Sequence, residues 1–318
     1  MAKNTLLVLE SGFLTTIQDL GRVGYERAGV PVSGAMDRLA LMAANILVDN
    51  PPGAAGLEAA LAGPVLQAGT DFLVAGAGRG FSLEVGGRPL PLWMAAWVRE
   101  GETVALRATG EGGWGYLAAS GGIDVPPVMG SRATYLRGGF GGLDGRALLA
   151  GDMLPLGTVA ALPVDLYARA GRELPEELRP PYNDHPILDV ILGPQAEAFS
   201  AAGIETFLGE EYALTMECDR MGYRLSGPPV AHRTGADILS EGIPLGAVQV
   251  PDDGQPIVLM ADRQTAGGYA KIAVVTSASL PLLAQCPPGR GAVRFRAVTV
   301  GEAQAKWGRV IRKHLHLR

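Results

Sequence analysis

Short apolar runs separated by glycine, proline and polar residues extend over most of this chain. Runs rich in β-branched, aromatic or small apolar residues cover residues 5–9, 72–74, 81–85, 93–98, 103–107, 114–118, 187–192, 257–260, 269–275 and 292–299. Their length and the frequent turn residues between them are typical of short strands in β-sandwiches and barrels. The pattern therefore predicts a mainly β protein.

Helical spacing is clearest in the residues that follow Ser33. Apolar residues recur at Met36, Leu39, Ala40, Ala43, Ile46 and Leu47, and the prolines of Asn50–Gly53 end the pattern. We expect Ser33 to cap this helix and Asp37 to lie in its first turn, where a carboxylate complements the helix dipole. Two further helices are expected, over 278–284 and in the tail over 302–318.

Composition supports a turn-rich chain that is large enough to bury a substantial core. The 318 residues are 47% hydrophobic and include 45 Gly and 23 Pro, a balance that favours strands over long helices. The charged, proline-rich stretch 168–184 is typical of a linker. We predict an N-terminal β-barrel lobe with one long helix over 1–167, that linker, a C-terminal β-barrel lobe over 185–301 and a helical tail over 302–318.

Several classes of protein are disfavoured by what the sequence lacks. The net charge of -5 is spread along the chain and gives no basic surface for nucleic acid. Cys218 and Cys286 lie far apart, so no disulfide framework is predicted. No signal peptide or membrane-spanning run is recognisable, and we expect a cytoplasmic protein that does not bind membranes. The four histidines have no ligand spacing, so no metal is predicted.

The richest set of chemical groups lies between two predicted strands, at 257–260 and 269–275. Between or within these strands the chain presents Asp262, Arg263, Gln264, Thr265, Gly267, Gly268 and Lys271. Such groups suit binding of a small polar or anionic substrate and proton transfer to it. We predict Asp262, Gln264 and Lys271 as catalytic residues, with Asp262 acting as a base or orienting a substrate amide. An ordinary polar hairpin remains the alternative interpretation.

A second candidate site lies around the predicted helix start. Exposed amides near Ser33 are suited to hold an anionic group, and Arg22 or Asp37 would complete the subsite. A capped core helix without a ligand explains Ser33 and Asp37 equally well. The glycine-rich run Gly76–Gly80 is predicted to be a turn, because it lacks the third glycine and the following helix of a dinucleotide-binding loop.

Six ordered motifs resemble one protein family, the biotin-dependent carboxyltransferase-like family, also called allophanate hydrolase subunit 2 or KipA. They are the runs 18–25, 33–37, 44–48, 121–131, 220–225 and 254–272, and the resemblance extends from Leu7 to Arg296. It implies two cyclophilin-like β-barrel lobes. It also implies a component of an ATP-dependent 5-oxoprolinase, with Arg22, Ser33, Asp37, Arg263, Thr265, Gly267 and Gly268 as expected contacts of a small lactam or amide substrate.

The same resemblance implies partners and leaves two other functions open. The expected partners are a KipI or allophanate hydrolase subunit 1 type protein and the A-type protein of 5-oxoprolinase, with ATP used by the complex. One alternative is the carboxyltransferase half of a biotin-dependent system acting on urea or another amide. We expect no covalent biotin here, because the usual Met-Lys acceptor dipeptide is absent. The second alternative function is that of a KipA-type regulator, which binds a histidine-kinase inhibitor and catalyses no reaction itself.

Overall fold

A computed structural model describes residues 4–159 and 163–315 of the chain. Strands predominate in this part of the chain, together with five α-helices. The chain divides into two compact units, one formed by residues 4–22, 33–159, 163–180 and 313–315 and the other by residues 23–32 and 181–312. The mainly β class with two β lobes, predicted from the sequence, is confirmed.

The first unit consists of two antiparallel sheets and two helices. Its elements are β1 (Thr5–Glu10), β2 (Leu14–Gln18), α1 (Arg38–Leu47), β3 (Gly56–Ala60), β4 (Val65–Ala68), β5 (Phe72–Gly78), β6 (Phe81–Val85), β7 (Arg88–Leu90), β8 (Ala95–Val98), β9 (Thr103–Ala108), β10 (Trp114–Ala119), β11 (Met153–Pro155) and α2 (Pro163–Tyr167). One sheet has the order β11-β1-β4-β9-β6-β7 and the other β2-β3-β10-β5-β8.

The core of this unit lies between the two sheets. Leu6 and Val104 of the first sheet belong to the same buried cluster as Ile17, Val74 and Leu117 of the second. Strand β5 is buried along its whole length, since α1 packs against β5 and β10 as well. A strand covered on both faces loses the alternation of apolar and polar residues and becomes continuously apolar.

Helix α1 begins later than the sequence predicts. Asp37, not Ser33, is its N-cap, and Asp37 Oδ1 accepts a hydrogen bond from Ala40 N at 3.0 Å. Ser33 and Gly34 have φ values of 55° and 80°, so the chain turns through the left-handed region before the helix starts. The prediction of Ser33 as the cap, with Asp37 in the first turn, is wrong.

The glycine-rich run from Gly76 also differs from its prediction. Gly76 to Gly78 lie in β5, where Gly76 pairs with Leu117 and Gly78 pairs with Gly115. A Cβ at position 76 would lie 2.7 Å from Leu92 Cδ2. Only Arg79 and Gly80 form the turn, so the glycines of β5 serve close packing beneath the sheet.

The second unit is a closed barrel with further helices and strands. Its elements are β12 (Ile187–Leu192), α3 (Ala201–Gly209), β13 (Glu211–Cys218), β14 (Gly222–Ser226), β15 (Asp237–Gly242), β16 (Ala247–Gln249), β17 (Ile257–Leu259), β18 (Ala266–Tyr269), β19 (Lys271–Val275), α4 (Leu280–Ala284), β20 (Ala292–Ala297) and α5 (Val300–Leu315). The barrel has the order β12-β19-β16-β17-β14-β13-β20, and β12 pairs with β20 in parallel to close it.

Two elements extend the barrel. β15 and β18 form a separate two-stranded antiparallel ladder, called here the ribbon. Helix α5 starts with a capping box, because Glu302 Oε2 accepts from Thr299 N at 2.8 Å and Thr299 Oγ1 accepts from Glu302 N at 3.3 Å. Asp189 of β12 accepts from Arg296 Nη2 and from Lys306 Nζ, each at 2.6 Å, and so joins α5 to the barrel. The helix predicted over 302–318 forms over Val300–Leu315, and the last three residues of that prediction lie outside the described part of the chain.

Candidate functional site

Asp262 follows β17 and is held by a buried guanidinium. Arg220 Nε lies 2.8 Å from Asp262 Oδ2 and Arg220 Nη2 lies 3.1 Å from Asp262 Oδ1, and each side chain is only 6% exposed. Asp262 N also donates to Arg220 O at 2.7 Å. Both carboxylate oxygens therefore orient one guanidinium, in the bidentate geometry that makes such pairs strong.

Arg263 and Thr265 form hydrogen bonds with the backbone of Ile243, the residue that follows the ribbon strand β15. Arg263 is buried and its Nε donates to Ile243 O at 2.9 Å. Thr265 O accepts from Ile243 N at 3.0 Å. These bonds determine how the segment after β17 meets the end of β15, and thereby place the ribbon beside the barrel.

Gly267 and Gly268 lie in β18, not in the loop before it. Gly267 pairs with Glu241 of β15, and a Cβ at position 267 would lie 2.7 Å from Ile243 Cδ1 and 3.1 Å from Gln249 Nε2. The space that the missing side chain leaves is thus taken by the protein's own groups. Gln264 is exposed, and its Nε2 lies 3.6 Å from the position that a Cβ at residue 267 would occupy.

Lys271 is a third buried cation of this region, beside Arg220 and Arg263. It begins β19, is only 1% exposed, and its Nζ lies 2.7 Å from Glu241 Oε1. Within the described residues that ammonium has no other partner. The hydrogen bond from Lys271, with a second from Gln195, lowers the pKa of Glu241 below its ordinary value. Glu241 is therefore a carboxylate held ionised by a buried ammonium.

Glutamine amides complete the cluster around Lys271. Gln195 Nε2 donates to Glu241 Oε1 at 2.7 Å and Gln195 Oε1 accepts from Lys271 N at 3.3 Å. Gln249 is buried, pairs with Lys271 across β16 and β19, and donates to Tyr269 O at 3.4 Å. Lys271, Glu241, Gln195, Gln249 and Gln264 are called here the Lys271 cluster; its ammonium and amides suit a ligand with a carboxylate and an amide.

The other predicted site residues lie in the first unit. Arg22 is 1% exposed; its Nη2 donates to Ala133 O, and its Cζ lies 5.0 Å from the centroid of the Phe140 ring. Ser33 is buried too, and its hydroxyl has no hydrogen-bond partner among the described residues. The Arg22 side chain is thus bonded to the protein's own backbone.

Asp37 belongs to a buried acidic cluster at the start of α1. Its backbone N–H donates to Tyr116 Oη, and Tyr116 Oη donates to Glu58 Oε2, both at 2.7 Å. Burial, and then the negative charge of Glu58, raise the pKa of Tyr116 well above its ordinary value. Because the Asp37 carboxylate already accepts from Ala40 N, it occupies an amide that an anion would use at this helix end.

Several residues that shape these sites were missed by the sequence reasoning. Arg220 lies in one of the recognised motifs but was not proposed as the partner of Asp262. Glu241 and Gln195 lie outside the predicted pair of strands, and only the ribbon and the pairing of β12 with β19 bring them to Lys271. A buried lysine requires a counter-charge, and that requirement is the signal that could have prompted a search for Glu241.

Two features are absent from the described residues 4–159 and 163–315. In that part of the chain no three His, Cys, Asp or Glu side chains are grouped to hold a metal ion. Every helix between residues 4 and 315 that the structure describes is too short or too polar to cross a membrane.

Comparison with known proteins gives relatives that match nearly the whole chain. The model of the carboxyltransferase domain, subdomain A and B, matches residues 28–297. The chain is 37% identical to the C-type subunit of 5-oxoprolinase from Escherichia coli over 285 residues, which cover 90% of this chain and 89% of that protein. It is 36% identical to the corresponding 5-oxoprolinase protein of Haemophilus influenzae, covering 93% of this chain and 92% of the relative.

A solved structure extends the comparison to a larger enzyme. The urea carboxylase of Kluyveromyces lactis superposes on all of this chain with a TM-score of 0.91 and 29% sequence identity. The chain spans 29% of the length of that urea carboxylase. The matched residues 28–297 include the segment 220–271, which supplies Arg220, Glu241, Asp262 and Lys271. The chain therefore belongs to the carboxyltransferase domain, subdomain A and B, family.

Proposed function

We propose that this chain is the C-type subunit of an ATP-dependent 5-oxoprolinase, which opens 5-oxoproline to L-glutamate. The observation that carries the proposal is the 37% identity to the Escherichia coli protein, which covers 90% of one chain and 89% of the other. Such coverage includes both units, so the relationship is not limited to the barrel.

The Lys271 cluster matches the groups of 5-oxoproline. The substrate carries one carboxylate and one ring amide, and its recognition requires a cation for the first and hydrogen-bonding groups for the second. We assign the carboxylate to Lys271 Nζ and the lactam to the amides of Gln249 and Gln264. Hydrolysis breaks the ring C–N bond, adds the hydroxyl of water to the carbonyl carbon and adds a proton to the nitrogen.

Asp262 has a positioning role in this proposal. Both of its oxygens accept from Arg220, which leaves it poorly suited to take a proton from water. Arg263 and Thr265 hold the neighbouring segment through Ile243. In the first unit Ser33 remains a proposed contact, since its buried hydroxyl has no hydrogen-bond partner among the described residues.

Partners complete the enzyme in this proposal. A KipI or allophanate hydrolase subunit 1 type protein and an A-type 5-oxoprolinase protein would supply the remaining groups around the lactam. ATP belongs to the assembled complex, and no step assigned to Lys271, Gln249 or Gln264 requires its phosphates. The contribution of this chain is therefore to bind and orient the substrate.

Carboxyl transfer to urea or a related amide is the second candidate. The superposition on the Kluyveromyces lactis urea carboxylase with a TM-score of 0.91 favours it. Urea carries no carboxylate, so it would use the amides of the Lys271 cluster and not its cation. This function requires a biotin-carrying partner, and urea-dependent turnover with that partner would distinguish it from lactam hydrolysis.

The test is reconstitution with the A- and B-type proteins, followed by glutamate release from 5-oxoproline. We expect release that needs ATP and disappears when this chain is omitted. Lys271→Met removes a charged hydrogen bond of about 1.5–3 kcal/mol, which predicts a KM increase of roughly 10- to 100-fold. Lys306→Met is the matched control, because it also removes an ion-paired lysine of the second unit. An assembled complex that releases no glutamate would contradict the proposal.

A further inference from the structure

The partner of Lys271 is unusual in its exposure. A buried ammonium is stable only when an anion compensates its desolvation, and here Glu241 is that anion. The Lys271 side chain is 1% exposed, whereas the Glu241 side chain is 44% exposed. Lys271 is therefore buried in the barrel, and Glu241 contacts its ammonium from the solvent side.

The contacts of Glu241 are concentrated on one oxygen. Oε1 accepts from Gln195 Nε2 at 2.7 Å and lies 2.7 Å from Lys271 Nζ. No described residue donates to Oε2. A small free carboxylate carries the same charge and the same two oxygens, and it can take up both of these contacts without loss.

The element that carries Glu241 can move without opening the barrel. β15 belongs to the two-stranded ribbon, outside the closed ladder, and its pairing with β18 is irregular between Asp237 and Glu241. Two-stranded ladders are marginally stable by themselves. β15 is also mostly exposed. Lys271, in contrast, is fixed between β12 and β16 in the barrel.

We infer that Glu241 occupies the substrate-carboxylate subsite in the free chain and is displaced when an anionic substrate binds. Glu241 is thus an internal competitor that determines specificity. A substrate with a carboxylate replaces the charge of Glu241 at Lys271. Neutral urea cannot replace it, because displacement of Glu241 by urea would leave a buried ammonium uncompensated. Naming 5-oxoproline as that substrate rests on the proposed function; the competition between carboxylates does not.

The reduction in ligand affinity depends on the fraction of molecules in which Glu241 is paired with Lys271. If the pair is formed about nine-tenths of the time, ligand affinity is reduced about tenfold, since only the open fraction binds. Glu241→Gln removes the competing charge but keeps an oxygen that accepts from Lys271 and Gln195. The variant is therefore expected to lower the KM for 5-oxoproline about 3- to 10-fold, with little change in kcat.

The matched control is Glu217→Gln, which removes a carboxylate from an exposed ion pair with Arg224 of the same unit. Steady-state kinetics of the assembled enzyme should show a lower KM for Glu241→Gln alone. An unchanged or higher KM in Glu241→Gln would overturn the inference, because Glu241 would then be structural or a direct ligand of the substrate.

A second measurement uses the isolated full chain and acetate as the probe. Acetate should shift the backbone amide NMR signals of Lys271 and Gln249 at lower concentration in Glu241→Gln than in the wild type or in Glu217→Gln. Absence of such a shift in Glu241→Gln overturns the inference, whatever the reconstituted enzyme does. A shift together with no glutamate release supports the competition and rejects only the 5-oxoprolinase assignment.

Discussion

Replacing Asp262 with Asn deprives the buried guanidinium of Arg220 of the carboxylate that holds it through bonds of 2.8 and 3.1 Å. Both side chains are 6% exposed, so solvent screens the lost interaction very little. Removal of one partner from a buried pair costs about 3–5 kcal/mol, whereas an exposed pair contributes about 1 kcal/mol or less. We therefore expect Asp262→Asn to lower the free energy of unfolding by about 3–5 kcal/mol.

Urea unfolding followed by circular dichroism measures this change. Glu217→Gln serves as the control for an exposed ion pair and should shift the midpoint only slightly. The double variant Arg220→Met with Asp262→Leu removes both buried charges and should recover much of the lost stability. The reasoning is refuted if Asp262→Asn costs no more than Glu217→Gln, or if the double variant costs the sum of the two single changes.

Two further predictions concern stability. Gly141 has φ of 74°, and a Cβ there would meet Ala133 O and lie 2.7 Å from Arg22 Nη2. Gly141→Ala is therefore expected to lower the free energy of unfolding by about 2 kcal/mol or more, measured by urea unfolding. An unchanged unfolding midpoint would contradict this prediction of strain. Burial alone would raise the pKa of Asp189, but Lys306 and Arg296 lower it below its ordinary 3.8. Its stabilisation is therefore present above pH 3.8 and lost as pH falls through the lower folded pKa, so the stability difference between wild type and Asp189→Asn should shrink there.

The sequence predicted the strands better than it predicted the helix starts. β12 coincides with the predicted strand 187–192, because its ends are defined by a proline and a glycine. Helix α1 was placed too early, because Ser33 and Asp37 are both good caps by residue type. The left-handed backbone at Ser33 and Gly34 excludes Ser33 as the cap, and residue type does not determine that conformation.

The candidate site was predictable as a region and not as a set of contacts. Polar residues after a buried strand indicated the segment that carries Asp262 and Lys271. Their actual partners are Arg220, from the turn between β13 and β14, and Glu241 of β15, so the barrel order and the irregular pairing of the ribbon determine them. Side-chain pairing across non-consecutive strands depends on register, and a local pattern contains little information about it.

The assignment of residues 23–32 to the second unit affects how the gene of this protein can recombine with homologous genes. The chain leaves the first unit after residue 22, returns at residue 33 and leaves again after residue 180. A single recombination point between residues 33 and 180 would separate 23–32 from the rest of its own unit. Exchange of one unit between homologous genes therefore needs breakpoints on both sides of that segment. The two β lobes are thus expected to evolve as one genetic module, whether as a separate protein or within a larger carboxylase.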